Sequence, residues 1–261
     1  MSRKRQTPIF DPHGMPSHQL TTLSYDFDSG HEVAEHYHKE GQVLFASQGV
    51  MTIRTKAEIW VAPPLRAVWI PPDEVHSIVM SGTVKMRTLY FVQKLAKSAP
   101  RKCCVLNVSP FFRELILHAC SKPAWKIRIV KERRVIEILL DQLRSSTAIP
   151  LQLRYPKDAR ASRVVEILIK DPSDSRTLES LCHSAGGSQR TIERAFLKET
   201  GLTFGKWRQQ LRVVHGLRLL ASGEKVTTAA LESGYSSPSA FISVFKKALG
   251  KTPNQYLQMQ G

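Results

Sequence analysis

The spacing of apolar residues divides the chain into a strand-like part and a helical part. From Thr21 to about Leu95, short runs rich in Val, Ile, Phe, Tyr and Trp are separated at close intervals by Gly and Pro. Beyond residue 108 the apolar positions recur with the period of an α-helix. Many short strands with turn signals predict a small barrel or a double-sheet sandwich. The sequence therefore indicates an α+β protein with two domains, β-rich at the N-terminus and all-α at the C-terminus.

Residues 95–107 are interpreted as a basic connector after the β-rich part, and two helices are predicted beyond it. Ser109 and Pro110 begin a helix that continues to about Cys120, and 126–144 predicts a longer helix with a wide apolar stripe. A stripe of that width needs a partner. It either packs on the β-rich domain of the same chain or contributes to a subunit interface.

The clearest pattern in the chain is a repeat with an offset of 49 residues. The corresponding positions include a serine that can cap a helix, two core positions, a lysine, a glycine that can end the helix and a threonine before an aromatic residue. The seven pairs are Ser188 and Ser237, Ile192 and Phe241, Phe196 and Phe245, Lys198 and Lys247, Gly201 and Gly250, Thr203 and Thr252, and Trp207 and Tyr256. These pairs predict two copies of one helical unit.

A short helix and a glycine-bearing turn precede the repeated segment in each copy. Residues 177–184 are followed by Gly186 and Gly187, and residues 227–233 are followed by Gly234. Helix, tight turn and helix is the helix-turn-helix pattern, and it is predicted twice here. Apolar residues in helical register over 203–221 predict one long helix that joins the two units.

The repeat resembles the AraC/XylS family of bacterial transcription regulators. The resemblance rests on Gly234-Tyr235, Ala240-Phe241, Phe245-Lys246, Gly250-Lys251-Thr252-Pro253 and Tyr256, and it covers about 157–261. It implies a DNA-binding transcription regulator, an activator or a repressor, that is cytoplasmic and not an enzyme. It also implies double-stranded promoter DNA and a small-molecule effector as partners, a homodimer formed in part by the 126–144 helix, and RNA polymerase as a partner if the protein activates.

A second resemblance concerns the β-rich part. The spacing of Gly30, His36, His38, Gln42 and Gly49 is similar to the first motif of cupin barrels, with glutamine in place of the usual glutamate. Pro71, Asp73 and His76 resemble the second motif, in which Asp73 occupies the position of the usual glycine. The resemblance implies a cupin-like β-barrel that senses an effector.

The histidines of these motifs allow two interpretations. If His36 and His38 lie on one strand, they point to the same face, and His76 from a neighbouring strand completes a three-nitrogen set for a divalent metal. Gln42 would be a weak neutral ligand. The loss of the carboxylate favours the alternative, in which the histidines line or hydrogen-bond within an effector pocket.

The residues expected to read DNA bases lie on the outer faces of the two recognition helices. In the first copy they are Gln189, Arg190, Glu193 and Arg194, whose side chains match the hydrogen-bonding edges of adenine, guanine and cytosine. In the second copy they are Ser239, Ala240 and Ser243, which are all small. We therefore expect the first copy to determine most of the sequence preference.

Phosphate contacts are assigned to two serines and three lysines. They are Ser188, Lys198, Ser237, Lys246 and Lys247. The net charge of +16 suits a polyanionic partner. The basic excess is larger in 84–134, with 13 Lys and Arg against 2 Asp and Glu, than in 157–261, with 16 against 9.

The predicted domain bounds are 1–107 for the effector-sensing barrel, 108–149 for a helical relay or dimerisation segment, 150–156 for a linker and 157–261 for the DNA-binding domain. The four cysteines lack metal-ligand spacing and are expected to be reduced thiols. No apolar run approaches the roughly 20 residues that cross a bilayer. Residues 2–5 contain three consecutive basic residues and are interpreted as a frayed tail, with a nucleic-acid-binding arm as the alternative. Two rival functions are a metal-dependent cupin enzyme carrying a DNA-binding domain and a non-specific architectural DNA-binding protein.

Overall fold

The computed structural model describes residues 18–64, 66–146, 148–149 and 152–258. The basic segment 2–5 and Pro150 lie outside these ranges. Among the described residues, none of the helices combines the length and the apolar character that crossing a bilayer requires.

The N-terminal domain is a sandwich of two antiparallel sheets. The seven-stranded sheet has the strand order β10-β1-β8-β3-β6-β9-β11, and the five-stranded sheet has the order β12-β5-β4-β7-β2. The strands are β1 Leu20–Phe27, β2 Glu32–His36, β3 Gly41–Ala46, β4 Val50–Thr55, β5 Glu58–Ala62, β6 Arg66–Ile70, β7 His76–Ser81, β8 Val84–Phe91, β9 Cys104–Asn107, β10 Ala124–Trp125, β11 Ala148–Ile149 and β12 Gln152–Arg154. The predicted α+β fold with a sheet-rich N-terminal domain is confirmed, and the described strands form two sheets that do not close into a barrel.

Strand β3 shows how the chain fills both faces of the seven-stranded sheet. Its six residues are all buried. Leu44 belongs to the apolar core between the sheets, whereas Val43 and Phe45 belong to a second core on the outer face. Because successive side chains of a strand point to opposite faces, a strand covered on both sides carries mostly apolar residues, and the one buried polar side chain of β3, Gln42, is hydrogen-bonded.

Helices α2 (Pro110–Ala119) and α3 (Val130–Ser145) cover that outer face. The apolar stripe of α3 is buried there through Ile136, Leu139, Leu140 and Leu143. The stripe therefore packs within one chain. Val130 and Ile138 remain 49% and 40% exposed.

Three predicted segments differ in the structure. Helix α3 begins at Val130 and not near residue 126, because the backbone of Ile129 is extended. The predicted connector 95–107 contains the end of α1 (Gln93–Ala96) and strand β9, which pairs with β6. The predicted linker contains β12, which pairs with β5.

The C-terminal domain is built from helices, and the predicted pair of helix-turn-helix units is present. Its helices are α4 Ala159–Lys170, α5 Leu178–Ala185, α6 Gln189–Ala195, α7 Phe204–Ala221, α8 Val226–Glu232, α9 Pro238–Leu249 and α10 Pro253–Leu257. The hydroxyls of Ser188 and Ser237 accept hydrogen bonds from backbone N–H groups at the start of α6 and α9. Gly250 ends α9 in the left-handed conformation, as its spacing predicts.

The two copies share one aromatic packing arrangement. In the first copy the ring centroids of Phe196 and Trp207 lie 5.5 Å apart, and in the second those of Phe245 and Tyr256 lie 5.8 Å apart, both edge to face. The matched positions of the repeat therefore have the same structural role, and all four side chains belong to the core.

The copies differ where the first recognition helix ends. Residues Phe196–Thr200 form a π-helical turn, in which the Thr200 hydroxyl donates to the Phe196 carbonyl at 2.7 Å. A threonine that bonds to a carbonyl four residues earlier competes with the regular helix ladder. The matched position in the second copy is Leu249, which has no hydroxyl, and α9 remains regular to that residue.

The helical domain packs on the five-stranded sheet through α7. The indole N–H of Trp207 donates to the Arg154 carbonyl at 2.9 Å, and the side-chain amide of Gln210 donates to the Gln152 carbonyl at 2.9 Å. Strand β12 is thus hydrogen-bonded to β5 on one side and to α7 on the other. These bonds join the two domains, because side chains of α7 donate to backbone carbonyls of β12.

Candidate nucleic-acid interface and effector site

Helix α6 presents a polar face to solvent. Gln189, Arg190, Glu193 and Arg194 are exposed, whereas Ile192 is fully buried. The Gln189 amide donates to the Glu193 carboxylate at 3.0 Å, which orients both side chains along the helix. These groups are the donors and acceptors that match base edges in the major groove.

The exposed face of helix α9 carries smaller side chains than that of α6. Ser239, Ala240 and Ser243 are exposed, and Phe241 and Phe245 are fully buried behind them. Short side chains allow a close approach of the helix to DNA, but they offer few hydrogen bonds to bases. The structure therefore places all seven predicted base-reading residues on exposed helix surfaces.

The predicted phosphate-contacting residues lie beside these faces. Lys198, Lys246 and Lys247 are exposed. Ser188 and Ser237 accept backbone hydrogen bonds at 3.3 Å from Thr191 and Ala240, so their oxygens also serve as helix caps. Each hydroxyl can still donate its proton to an acceptor such as a phosphate oxygen.

Two arginines that were not predicted from the sequence connect the helices around the first unit. Arg212 on α7 donates to the carbonyls of Pro172 and Asp174, in the loop between α4 and α5, at 3.2 and 2.9 Å. Arg163 on α4 donates twice to the Ala185 carbonyl at the end of α5, at 2.9 and 2.6 Å. Because a carbonyl at a helix end lacks a partner within the helix, the Arg163 bonds also satisfy the end of α5, just before the first recognition helix.

The second candidate site is a cluster of three histidines between the sheets of the N-terminal domain. His36 ends β2, His76 begins β7, and the two residues are paired in the sheet. One ring nitrogen each of His36, His38 and His76 lies within 4.8 Å of the others. His38 lies in the loop after β2, so the expectation that His36 and His38 share one strand is wrong. The loop is held by a hydrogen bond from the Asp73 N–H to the His38 carbonyl at 2.9 Å.

The backbone determines which nitrogen of each ring faces the cluster. The Nδ1 atoms of His36, His38 and His76 lie 2.8, 2.7 and 2.8 Å from the carbonyl oxygens of Ala34, Glu40 and Glu74. A carbonyl only accepts, so Nδ1 carries the proton in each ring, and the Nε2 atom of a neutral ring holds a lone pair. Burial lowers the pKa of His76 to about 3, and it also lowers the pKa of His38.

Gln42 completes the cluster from the facing sheet. Its Nε2 lies 3.0 Å from the Thr88 hydroxyl and 2.8 Å from the Tyr90 hydroxyl, and its Oε1 lies 3.0 Å from His38 Nε2. In this orientation two acceptor atoms face each other. The contact becomes favourable if the amide turns over and donates to His38, or if a cation binds both atoms.

The Nε2 atom of His76 is not satisfied by its protein surroundings. It is buried and has no hydrogen-bond partner among the residues that the structure describes. Burying an acceptor without a partner costs about 1–3 kcal/mol. The donor set of three imidazoles and one amide oxygen fits a divalent transition metal. Tetrahedral ligands about 2.1 Å from one metal are about 3.4 Å apart, so binding would draw a pair of nitrogens at the 4.8 Å limit together by up to about 1.4 Å.

The glycine positions of the two cupin motifs have the expected backbone conformation. Gly30 and Gly49 have φ values of +81° and +76°, and Asp73, in the place of a glycine, has a φ of +64°. Positive φ is favourable for glycine and costs an aspartate free energy. The turns around the cluster therefore keep the conformation that the motif requires.

Comparison with known proteins places this chain in a family. The family model described as "AraC-like ligand binding domain" matches residues 22–200, and the model described as "Helix-turn-helix domain" matches residues 181–259. The chain belongs to the AraC family. It is a DNA-binding transcription regulator with a ligand-binding domain, and the predicted family membership is confirmed.

Individual relatives agree with this assignment. The HTH-type transcriptional regulator NimR of Escherichia coli (strain K12) is 33% identical over 255 residues, which cover 92% of this chain and 93% of NimR. The HTH-type transcriptional regulator RipA of Corynebacterium glutamicum is 35% identical over 104 residues, which cover 40% of this chain and 31% of RipA. A crystal structure of Vibrio cholerae ToxT with a bound unsaturated fatty acid is 14% identical, covers 92% of this chain and 95% of its own, and has a TM-score of 0.40, which is too low to support an inference about a ligand.

Two residues of this AraC-family chain, Thr88 and Tyr90, were not predicted to belong to the histidine cluster. Both lie on β8, and Tyr90 is the direct register partner of Gln42. They are two residues apart and therefore share one face of the strand. Two hydroxyl side chains at this spacing in a mostly buried strand were the sequence signal that could have identified them.

Proposed function

We propose that this AraC-family protein binds promoter DNA in a sequence-specific manner and that a small-molecule effector in the N-terminal domain controls this binding. The observation that carries the proposal is that one long helix, α7, joins the two recognition helices α6 and α9. Each recognition helix is capped at its start and has an exposed polar face. Helix α7 contributes buried residues to the core of both units, so the separation of α6 and α9 is fixed before DNA is bound. Two helices held in this way can enter successive major grooves, about 34 Å apart on one DNA face.

The two helices divide the recognition of DNA. Gln189, Arg190, Glu193 and Arg194 on α6 form hydrogen bonds to base edges, while Ser239, Ala240 and Ser243 on α9 contact the shape of the groove and thymine methyl groups. Ser188, Ser237 and the three lysines Lys198, Lys246 and Lys247 bind phosphates and fix the register. The exposure of these residues, with Ser237 partly exposed, supports this assignment.

The proposed effector site is the cluster of His36, His38, Gln42 and His76, which can also hold a divalent metal. A structural route leads from this cluster to the DNA-binding domain. Strand β7 begins at His76 and ends at Ser81, where the Arg218 side chain of α7 approaches the Ser81 hydroxyl at 3.5 Å. A Cβ atom on the next residue, Gly82, would lie 2.0 Å from the Ala221 carbonyl oxygen at the end of α7. A shift of β7 on effector binding therefore changes how α7 docks, and DNA must change effector affinity by the same factor.

The remaining partners follow from the exposed surfaces. We infer that Val130 and Ile138 on the outer face of α3 contribute to a homodimer interface, because they are apolar side chains that the chain itself leaves exposed. The protein acts in the cytoplasm, where the promoter DNA is found. If it is an activator, RNA polymerase is a further partner.

The two rival functions predict different residues in the histidine cluster and a different preference for promoter over random DNA. A metal-dependent enzyme of the cupin type would use a carboxylate ligand at the position of Gln42, where this chain has a neutral amide, and an acid/base pair beside the three histidines. An architectural protein would bind promoter and random DNA with similar affinity. A sequence-specific regulator binds its own site typically 10³ to 10⁷ times more tightly.

Chromosome-wide mapping of binding sites in the source organism, followed by affinity measurements on the recovered fragments, tests the proposal. We expect a small set of promoter sites that share one sequence, and an affinity ratio over random DNA of at least 10³ at physiological salt. A ratio near one would support the architectural function and contradict the proposal. The Arg190→Ala variant provides the internal control, because it should lose about 1–3 kcal/mol of the preference for the recovered sites while keeping its general DNA binding.

A further inference from the structure

The arrangement of the histidine cluster allows a more specific inference, which rests on the proposed effector-controlled function. We propose that His36, His38, His76 and Gln42 together hold one divalent transition-metal ion, and that the effector binds to this ion as an anionic oxygen ligand. Four steps lead from the side-chain geometry to this assignment.

The first step concerns the direction of the lone pairs. Each of the three rings donates its Nδ1 proton to a backbone carbonyl, at 2.7–2.8 Å. The three carbonyls belong to three different positions of the chain, Ala34, Glu40 and Glu74. This bond to a carbonyl is the usual second shell of a metal-ligating histidine, because it fixes the ring orientation and leaves Nε2 unprotonated. Three such rings around one point form a prepared set of nitrogen ligands.

The second step concerns the atoms that lack a favourable partner within the protein. His76 Nε2 is buried without a hydrogen bond, and His38 Nε2 faces the Gln42 amide oxygen at 3.0 Å. One cation bound to these atoms resolves both defects at once. Turning the Gln42 amide over would resolve only the contact with His38 and would leave His76 without a partner.

The third step concerns the charge of the donor set. Three neutral imidazoles and an amide bring no negative charge, so a bound dication keeps its full charge and attracts an anion. The carboxylate of Glu40 acts electrostatically on His38 and Tyr90, but it is not among the groups that lie within 4.8 Å of one another. With a carboxylate in the place of Gln42 the site with a bound dication would carry a net charge of +1, whereas with glutamine it keeps +2 and attracts an anionic ligand more strongly.

The fourth step concerns access to the ion. His38, His76 and Gln42 are at most 3% exposed, whereas His36 is partly exposed. Of the four side chains, His36 is therefore the one through which an anionic group can approach the ion from solvent.

The test uses the full-length protein without a histidine tag, with Co²⁺ as the probe. Equilibrium dialysis and metal analysis are expected to give about one equivalent of Co²⁺, with a visible absorption band from nitrogen and oxygen ligands. His36→Gln, at the partly exposed position, and His76→Gln are each expected to weaken Co²⁺ binding at least tenfold. His118→Gln, which changes an exposed histidine on α2, is the control and should bind Co²⁺ like the wild type. Less than a tenth of an equivalent in the wild type, or full binding in both cluster variants, would overturn the metal site.

The Gln42→Glu variant tests the charge argument and keeps the shape of the site. It is expected to bind Co²⁺ at least tenfold more tightly than the wild type, because a carboxylate cancels one of the two positive charges of the ion. Acetate and benzoate are the anion probes, and each is expected to shift the cobalt band of the wild type and to bind at least tenfold more weakly to Gln42→Glu. Equal anion affinity of the two proteins would contradict an anionic effector.

Parallel DNA measurements separate this inference from the proposed function. If the protein discriminates promoter from random DNA but does not bind Co²⁺, the metal site is wrong and the regulator remains. If the protein binds Co²⁺ and anions but does not discriminate between DNA sequences, the proposed regulatory function is wrong.

Discussion

Gly216 and Phe241 lie so close together that a side chain on Gly216 would overlap the aromatic ring. A Cβ atom on Gly216 would lie 2.6 Å from the Phe241 ring and 3.0 Å from the Ser233 hydroxyl oxygen. Gly216 is in the middle of α7, and Phe241 is the first buried aromatic residue of α9. The glycine therefore sets how closely the second recognition helix approaches the helix that joins the two units.

Replacing Gly216 by alanine is expected to destabilise the DNA-binding domain. Overpacking of a filled core costs typically about 1–3 kcal/mol. Gly205→Ala in the same helix is the matched control, because a Cβ there meets nothing within 4 Å. The control is expected to be stabilised by about 0.5–1 kcal/mol, the usual gain when alanine replaces glycine within a helix. Urea unfolding monitored by far-UV circular dichroism measures both, and equal shifts for the two variants would show that Gly216 does not control the packing.

Gly82→Ala is expected to uncouple the two domains. The new methyl group would overlap the Ala221 carbonyl, and the positive φ of +72° adds backbone strain. Gly30→Ala separates the two effects, since its φ of +81° imposes the same strain while nothing lies within 4 Å of its Cβ. Small-angle X-ray scattering is expected to show a larger radius of gyration for Gly82→Ala only. If both variants keep the wild-type value, the Gly82 contact does not hold the domains together.

The two recognition helices are expected to contribute unequally to sequence preference. Arg190→Ala and Arg194→Ala should each reduce the discrimination between cognate and altered sites by about 1–3 kcal/mol, because an arginine can bind guanine through two hydrogen bonds. Ser239→Ala and Ser243→Ala should have smaller effects. Fluorescence anisotropy with single-base variants of a binding site measures this difference. A larger loss of specificity in the serine variants would contradict the proposed division between α6 and α9.

The lysines are expected to affect affinity without affecting specificity. Lys246 and Lys247 are exposed in the last turn of α9. Replacing both by alanine should weaken binding to all sequences by a similar factor and reduce the slope of log K against log salt by about 0.9 for each lost phosphate contact. Lys170→Ala, at the exposed end of α4, is the control and should leave the slope unchanged. If the loss of affinity differed between DNA sequences, these lysines would contact bases and not phosphates.

Local signals in the sequence were sufficient to predict most of the helical domain. The serine caps at 188 and 237 and the left-handed Gly250 require only neighbouring residues, so spacing alone defines them. The π-helical turn was not predicted, because it depends on a competition between the Thr200 hydroxyl and the helix ladder. The hydrogen bonds of Arg163 and Arg212 were not predicted either, since their acceptors lie 22 to 40 residues away in the chain.

The N-terminal domain shows the same limit. The motif spacing identified His36, His38, Gln42 and His76, and the structure places these side chains together. The roles of Thr88 and Tyr90 depend on the register between β3 and β8, which a single sequence does not fix. Strands β9 and β12 were interpreted as connector and linker because short strands that pair only with distant segments carry little local signal.

Selection of binding sites from a random DNA pool by the full-length protein tests the central claim most directly. The account predicts two conserved blocks whose centres are about 10–10.5 base pairs apart, the spacing of successive major grooves. It also predicts that Arg190→Ala selects sites in which one block has lost its conservation while the other is kept. Recovery of sequences without any shared block, or of unchanged sites by Arg190→Ala, would contradict sequence-specific recognition by α6.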